Sequence, residues 1–116
     1  MKDCIFCKIA NGEIASKKII ESESFFVIKD INPKSKGHSL IIPIKHFENL
    51  IDFSSIYGEE LIDVIQETYK KLKEEDNSIE GFNFIVNNSA VAGQLVPHLH
   101  FHVVPRRKGD GLNMWV

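Results

Sequence analysis

The chain has 116 residues and a formal net charge of −2 at pH 7, with 43% hydrophobic and 26% charged residues. A chain of this length has room for one domain, and the composition is typical of soluble globular proteins rather than disordered or membrane-embedded ones. The small net charge excludes a global attraction for nucleic acid, so phosphate recognition has to come from local donors. We therefore expect a single domain over residues 1–116 that binds a small anionic ligand and no nucleic acid.

The sequence shows no sign of membrane insertion or export. No apolar run approaches the ~20 residues that span a bilayer, and the N-terminus lacks the long apolar core of a secretory signal. The only two cysteines, Cys4 and Cys7, form a C-x-x-C pair. In a reducing compartment such a pair suits a metal site or a redox pair better than a structural disulfide. The sequence thus predicts a cytoplasmic protein without membrane contact.

The first half of the chain is predicted to form a short helix and three strands. CIFCKIANG can form a helix that ends near Gly12, because glycine readily adopts the left-handed conformation of a helix C-terminus. Three apolar, β-branched stretches follow at residues 17–21, 25–29 and 39–44. Pro43 has no backbone N–H, which predicts that the third stretch is an edge strand or has a bulge there.

The second half is predicted to form one long helix and two further strands. From Ser54 to about Glu75, apolar residues recur every three to four positions and form one helical stripe, Leu61, Ile65, Tyr69 and Leu72. Residues 82–87 and 98–104 have strand-like composition and are joined by a polar loop that contains glycine. These elements predict an α+β fold, an antiparallel β-sheet with one long helix and a short N-terminal helix.

The last predicted strand contains three histidines at two-residue spacing, within PHLHFHVVPR at residues 97–106. Because side chains alternate faces along a strand, we expect His98, His100 and His102 on one face. Three interpretations are open: a solvated sheet face, a transition-metal site, or nucleophilic catalysis at phosphorus. Catalytic zinc usually needs an activating carboxylate, and no acidic residue lies between Asn83 and Lys108, which weakens the second.

Nucleophilic catalysis would give neighbouring imidazoles different tasks. Imidazole titrates near neutrality, so a neutral fraction is available at pH 7 to attack phosphorus through one ring nitrogen and form a covalent phospho-imidazole. His100 has a histidine on each side and is the natural nucleophile. Its second ring nitrogen then has to hold its proton in a fixed hydrogen bond.

The motif HLHFHVV at residues 98–104 resembles the signature of the histidine triad (HIT) family of nucleotide hydrolases and transferases. Three further segments resemble the Hint-like branch of this family in the same order along the chain: CIFCKIANGEI, KDINPKSKGHSLIIPIKH and FIVNNSAVAGQ. The resemblance implies a HIT-like fold, a homodimer, and a pocket beside the triad for a purine nucleotide of the AMP or GMP type.

The resemblance also implies a reaction and a set of site residues. The reaction is hydrolysis of purine nucleoside phosphoramidates or aminoacyl adenylates, in which His100 forms a nucleotidyl-histidine without a catalytic cofactor. The implied catalytic residues are His100, His102, His98 and His38, and the implied nucleotide-binding residues are Asp30, Asn87, Gly93, Gln94, His100 and His102. Asp30 would hold the ribose hydroxyls, although an aspartate just before Asn32 and Pro33 is also an ordinary turn residue.

The loop before the triad carries a further prediction and one departure from the family pattern. Gly93 and Gln94 can present backbone N–H groups to a developing phosphoryl charge. Many Hint proteins have a serine at the position of Leu95, and leucine cannot donate a side-chain hydrogen bond to the leaving group. The preferred leaving group is therefore open. Trp115, near the chain end, is expected to shape the pocket or the partner subunit, or simply to pack locally.

The cysteine pair predicts a second site. A C-x-x-C supplies two tetrahedral zinc ligands, and a structural site needs two more, commonly histidines. The resemblance to Hint-like proteins that hold zinc in this way implies a structural zinc on Cys4, Cys7, His46 and His98. The catalytic work would then fall to His100, His102 and His38. Two cysteines packed without metal as small apolar groups are the alternative.

Two other functions stay open from the sequence. The VVPR ending of the triad strand bears a slight similarity to dinucleoside polyphosphate hydrolases of the same family. A non-catalytic nucleotide sensor or scaffold would keep the pocket and rely on protein partners.

Overall fold

The computed structural model describes residues 3–114, so Trp115 and its predicted role lie outside the described residues. Two α-helices are present in this range, α1 (Ile5–Ala10) and α2 (Gly58–Glu75). Five strands form one antiparallel sheet in the order β1-β2-β3-β5-β4. Their bounds are Ile20–Glu21 (β1), Phe25–Lys29 (β2), Ser39–Pro43 (β3), Gly81–Val86 (β4) and Phe101–Arg106 (β5). The predicted α+β fold is confirmed.

β5, which begins just after His98 and His100, lies in the interior of the sheet. β5 pairs with β3 on one side and with β4 on the other, so His102 is flanked by Leu40 and Ile85. Regular pairing begins only at Phe101, whereas the sequence predicted a strand from residue 98. His98 and His100 therefore stand on the chain segment that leads into β5, and other contacts have to hold them.

The prediction of an edge or bulged third strand is wrong. β3 lies between β2 and β5, and its register with β2 runs without interruption from Lys29↔Ser39 to Phe25↔Pro43. The proline is tolerated because β5 pairs only with residues 39–41, so no ladder partner faces Pro43 on that side. The missing N–H of proline therefore costs no hydrogen bond.

Apolar layers cover both faces of the sheet. α2 packs on one face, and the predicted helical stripe contributes the buried Leu72 and the partly buried Leu61, Ile65 and Tyr69. α1 packs on the other face through Phe6 and Ile9. The core on the α2 side also contains the alternate residues of the triad segment, Leu99, Phe101 and Val103. The histidines consequently face the α1 side, as the alternation predicts.

The loop before β3 is clamped against the end of β5, which fixes the position of His38. The Ser35 hydroxyl donates to the carbonyl of Pro105 at 2.7 Å, and Arg107 donates to the carbonyl of Lys36 at 2.8 Å. Gly37 has a φ of +94°, and a Cβ there would lie 3.3 Å from the Pro105 ring. Only glycine suits this close, left-handed turn.

Among the described residues, neither helix combines the length and the apolar character that a membrane span requires.

The carboxylates that hold the C-terminal end of β5 make the fold sensitive to acid. Hydrogen bonds from Ser78 and then Arg107 hold the pKa of Asp76 well below its usual range, and Arg106 does the same for Asp110. A carboxylate whose pKa is lower in the folded state contributes stability above its unfolded pKa of about 3.9, and this contribution is lost as pH falls below that value.

We therefore expect Asp76→Asn/Asp110→Asn to flatten the pH dependence of the free energy of unfolding between about pH 5 and pH 3, because asparagine does not titrate there. Urea titrations at several pH values measure the slope. Glu67→Gln, which changes an exposed carboxylate on α2 outside both clusters, should keep the wild-type slope. An unchanged slope in the double variant would contradict the assignment.

Candidate functional site

A cavity of about 740 Å³ opens on the α1 side of the sheet. Its walls come from α1, from the end of β2 with the following turn, and from β3, β4 and β5 with the segments next to them. The polar residues that bear on function lie along one wall: Asp30, His38, Asn87, His100 and His102, with Gly93 beside them. Most of the nucleotide-binding set predicted from the sequence is therefore brought to one cavity.

His100 is held in a single tautomer by its own backbone. Its Nδ1 lies 2.8 Å from the carbonyl oxygen of His98. Because a carbonyl oxygen can only accept, Nδ1 carries the proton and donates it. A neutral imidazole has one ring proton, so Nε2 of His100 keeps its lone pair. Nδ1 therefore holds its proton in a fixed hydrogen bond, as expected for the second ring nitrogen of a nucleophilic histidine.

A second chain of hydrogen bonds fixes His38 and His102. The backbone N–H of Lys34 donates to Nδ1 of His38 at 3.0 Å, so the proton of His38 is on Nε2. That nitrogen lies 3.0 Å from Nδ1 of His102 and donates to it. The proton of a neutral His102 is therefore on Nε2. The cavity wall thus combines a lone pair on His100 with an N–H donor on His102.

Both members of this pair are neutral at pH 7. Burial, followed by the neighbouring His100 and His38, lowers the pKa of His102 to about 4. Burial also lowers the pKa of His38, against the opposing effect of Asp30. The pair can donate a hydrogen bond to a phosphoryl oxygen without carrying a positive charge of its own.

Asp30 is an acidic neighbour of His38 and His102, a contact that the sequence alone did not predict. Its Oδ2 lies 3.4 Å from Nε2 of His38, while Oδ1 accepts the Asn32 N–H at 2.9 Å in an ordinary turn. Ligand atoms of Asp30, His38 and His102 lie within 4.8 Å of one another, which is close enough for a metal ion. However, the facing nitrogens of the two histidines are already joined by a hydrogen bond. The signal that could have revealed the contact is the pairing of β2 with β3, which sets Asp30 beside His38.

The side chain of Gln94 braces the loop and is not among the residues that line the cavity. Its Nε2 donates to the carbonyls of Glu48 and Val96, and its Oε1 accepts the Ser89 N–H at 2.8 Å. The backbone N–H groups of Gly93 and Gln94 are also used within the loop, on Ala90 and Ser89, because residues 90–92 form a closed 3₁₀ turn. Nucleotide binding by these two residues stays a prediction.

Two other groups of the same loop region are available to a ligand. Asn87 lines the cavity next to Gly93, and no hydrogen bond occupies its side-chain amide within residues 3–114. Leu95 also lines the cavity, and the residue is 92% exposed. Its backbone N–H has no acceptor in the described part of the chain. Sequence reasoning considered only the side chain of Leu95 and missed this donor.

The two cysteines, His46 and His98 meet beneath α1. The Sγ of Cys4 lies 3.1 Å from Nδ1 of His98, and the Sγ of Cys7 lies 3.5 Å from the same nitrogen and 3.3 Å from Nδ1 of His46. All four ligand atoms lie within 4.8 Å of one another. Tetrahedral zinc, with Zn–S near 2.3 Å and Zn–N near 2.0 Å, separates neighbouring ligand atoms by roughly 3.3–3.8 Å. The donor set and its spacing fit structural zinc.

The ring orientations in this cluster suit metal ligation. Nε2 of His98 donates to the carbonyl of Pro43 at 2.8 Å, which leaves the Nδ1 lone pair facing the sulfurs. Burial lowers the pKa of His98 to about 4, so this imidazole is neutral at pH 7. Nε2 of His46 is buried without a hydrogen-bond partner among residues 3–114, so its Nδ1 contact with Cys7 holds the ring.

His98 is thereby separated from the other two triad histidines. Both of its ring nitrogens are engaged outside the cavity, and its side chain does not line the cavity. It contacts His100 through its backbone carbonyl, which accepts from His100 Nδ1.

Comparison with known proteins identifies the family. The family model described as the HIT domain matches residues 11–109. The chain belongs to the HIT family. A HIT-like protein of Methanocaldococcus jannaschii is 45% identical over 114 residues, covering 93% of this HIT protein and 82% of the relative. An adenosine 5'-monophosphoramidase of Candida albicans is 39% identical over 107 residues, covering 90% and 70% of the two chains.

The fold agrees with a solved member of the family. A Zn-bound histidine triad family protein from Mycobacterium smegmatis superposes with a TM-score of 0.89 at 36% identity, covering 97% of this HIT protein and 81% of that chain. The HIT-like fold and the family membership predicted from the sequence are confirmed.

The low pKa of His102 gives a direct spectroscopic prediction. We expect the Hε1 resonance of His102 to stay constant between about pH 5.5 and pH 8, because burial keeps the ring neutral with a pKa of about 4. Two-dimensional ¹H–¹³C NMR measures this shift. In urea the same residue should titrate near 6.5. A midpoint near 6.5 in the folded HIT protein would show that the ring is not desolvated as described.

Proposed function

We propose that this HIT protein hydrolyses purine nucleoside phosphoramidates and related adenylates through a covalent intermediate on His100. The observation that carries the proposal is the hydrogen bond of His100 Nδ1 to the carbonyl of His98, which leaves a nucleophilic Nε2 beside the cavity. The cavity of about 740 Å³ lies within the range of small-molecule sites. The similarity to an adenosine 5'-monophosphoramidase supports the reaction class.

The first step forms a bond between His100 Nε2 and the α-phosphorus, while the bond from phosphorus to the leaving group breaks. An amine leaves with a proton taken from solvent, and an acyl group leaves as a carboxylate. The Nε2–H of His102 donates to a phosphoryl oxygen, where negative charge develops. His38 keeps His102 in the tautomer that can do so. In the second step water attacks phosphorus and the P–N bond to His100 breaks. The products are a nucleoside monophosphate, a neutral His100 and a released proton.

The nucleotide is proposed to lie along the polar wall of the cavity. The carboxylate of Asp30 has acceptor sites left for the ribose hydroxyls after its bond to the Asn32 N–H. The side-chain amide of Asn87 and the backbone N–H of Leu95 supply donors for phosphate oxygens. The purine is proposed to contact apolar side chains of α1, β2 and β3 that line the cavity, Ile9, Ile28 and Leu40.

Structural zinc is proposed on Cys4, Cys7, His46 and His98. The spacing of the four ligand atoms and the neutral state of His98 support it. The Zn-bound family member from Mycobacterium smegmatis is a structural neighbour that contains this metal. Zinc there would tie α1 to the segment that follows β3 and to the segment that leads into β5.

We also propose one HIT domain over residues 1–116 and a homodimer. β4 is an edge strand, and its Phe84 is 39% exposed although the ring stacks on Phe101. Ile62 on α2 is 56% exposed. A second copy that covers apolar groups of β4 and α2 would protect both the strand edge and these side chains.

His100→Gln tests the catalytic proposal. We expect turnover of an adenosine 5'-phosphoramidate to fall by about 10⁴-fold or more, because glutamine cannot form the nucleotidyl intermediate. Affinity for AMP, measured by calorimetry, should change only a few-fold. Glu67→Gln serves as the matched surface control. Undiminished turnover in His100→Gln would refute nucleophilic catalysis. A wild-type protein that binds AMP without turnover would indicate a nucleotide sensor.

Metal analysis tests the zinc proposal. Protein purified without chelator should contain about one zinc per chain by mass spectrometry, and Cys7→Ala should lose most of it because a tetrahedral site needs all four ligands. Asp30→Asn is the matched control, since it alters the other group of side chains close enough to hold a metal. Wild-type protein without zinc, or zinc lost in Asp30→Asn and kept in Cys7→Ala, would contradict the assignment.

A further inference from the structure

The cysteine–histidine cluster and the nucleophile share one residue. His98 offers its side-chain Nδ1 to the cluster, 3.1 Å from the Sγ of Cys4, and its backbone carbonyl to Nδ1 of His100 at 2.8 Å. One residue, His98, thus carries both the imidazole that would bind the metal and the carbonyl that fixes the tautomer of His100.

Phe6 forms a second connection. It lies in α1 between the two cysteines, and its buried ring meets the edge of His98 with centroids 5.7 Å apart. The same ring meets His100 with centroids 5.2 Å apart. A group that holds α1 in place through Cys4 and Cys7 therefore also holds the Phe6 ring against the His100 imidazole.

The segment that carries His98 and His100 depends on such side-chain contacts. Regular pairing of β5 starts at Phe101, so the peptide units before it are outside the strand ladder. Within the described residues, the backbone hydrogen bonds that hold this segment run from His98 N–H to the carbonyl of Val96 and from Leu99 N–H to the carbonyl of Phe47. The carbonyl of His98 itself is oriented by the side chain, which is anchored at Nε2 on Pro43 and at Nδ1 on the cysteines.

We propose that metal occupancy of the Cys4, Cys7, His46 and His98 cluster positions the catalytic nucleophile. A bound zinc immobilises His98 and α1 together, which keeps the carbonyl of His98 and the ring of Phe6 against His100. Without the metal, His100 gains access to the tautomer with its proton on Nε2, which cannot attack phosphorus. His98 and Phe6 act here as positioning residues. The inference rests on the proposed zinc site and on His100 as the proposed nucleophile.

Ring ¹⁵N NMR of histidine-labelled protein tests this coupling without relying on turnover. The resonances of His100 are assigned with His100→Gln. In zinc-loaded protein we expect one tautomer, with the proton on Nδ1. After removal of zinc by a chelator we expect averaging toward both tautomers, a fall in kcat of about tenfold, and recovery of both when zinc is added back. His38 and His102 serve as internal references, because their tautomers are set by the Lys34 N–H and not by the cluster.

An unchanged His100 tautomer and an unchanged kcat in folded, zinc-free protein would overturn the proposal. Backbone amide spectra of β4 and α2 show whether the zinc-free protein is folded. If it unfolds, Phe6→Leu provides the test with zinc in place. We expect full zinc content, altered His100 ring resonances and a lower kcat, because leucine lacks the aromatic edge.

Phe53→Leu is the matched control, since Phe53 packs in the core on the α2 side. It should alter neither the His100 resonances nor kcat. Phe6→Leu with full zinc and wild-type His100 resonances and kcat would overturn the proposal. A zinc-dependent tautomer of His100 in a protein without turnover would support the coupling and refute the proposed hydrolase function instead.

Discussion

The hydrogen bond from His100 Nδ1 to the carbonyl of His98 is the constraint on which the proposed chemistry depends. A neutral imidazole has one ring proton, and its location decides which nitrogen can attack. A carbonyl acceptor 2.8 Å from Nδ1 settles that location through the backbone, without a carboxylate partner. The hydrogen bonds around His38 and His102 have the complementary effect, since they leave a donor on His102 beside the lone pair of His100.

Three histidines on one face thereby acquire three different environments. His98 faces sulfur, His100 faces the cavity with an unprotonated nitrogen, and His102 faces the cavity with a proton. The sheet makes this possible because β5 lies between β3 and β4, with α1 across one face. α1 supplies the cysteines and Phe6, and the loop before β3 supplies His38. Each imidazole therefore has neighbours from a different part of the chain.

Sequence reasoning was sufficient where a local pattern determines the outcome. The α2 stripe, the alternation around His100 and the convergence of Cys4 with His98 follow from periodicity or from the ligand chemistry of zinc together with the family resemblance. It failed where long-range register decides. Pro43 is tolerated in an interior strand because β5 pairs with β3 only as far as Ile41. The approach of Asp30 to the histidines depends on the pairing of β2 with β3. The Gln94 side-chain amide is hydrogen-bonded to three backbone groups, on Glu48, Ser89 and Val96. No local sequence pattern indicates these contacts.

The most direct test of the account is the mass of the intact protein after rapid quenching of a reaction with an adenosine 5'-phosphoramidate. We predict a transient species that is heavier by one adenylyl group, labile in acid and attached to His100 in peptide maps. Turnover without any such adduct, or an adduct on His38 or His102 instead, would contradict the assignment of His100 as the nucleophile.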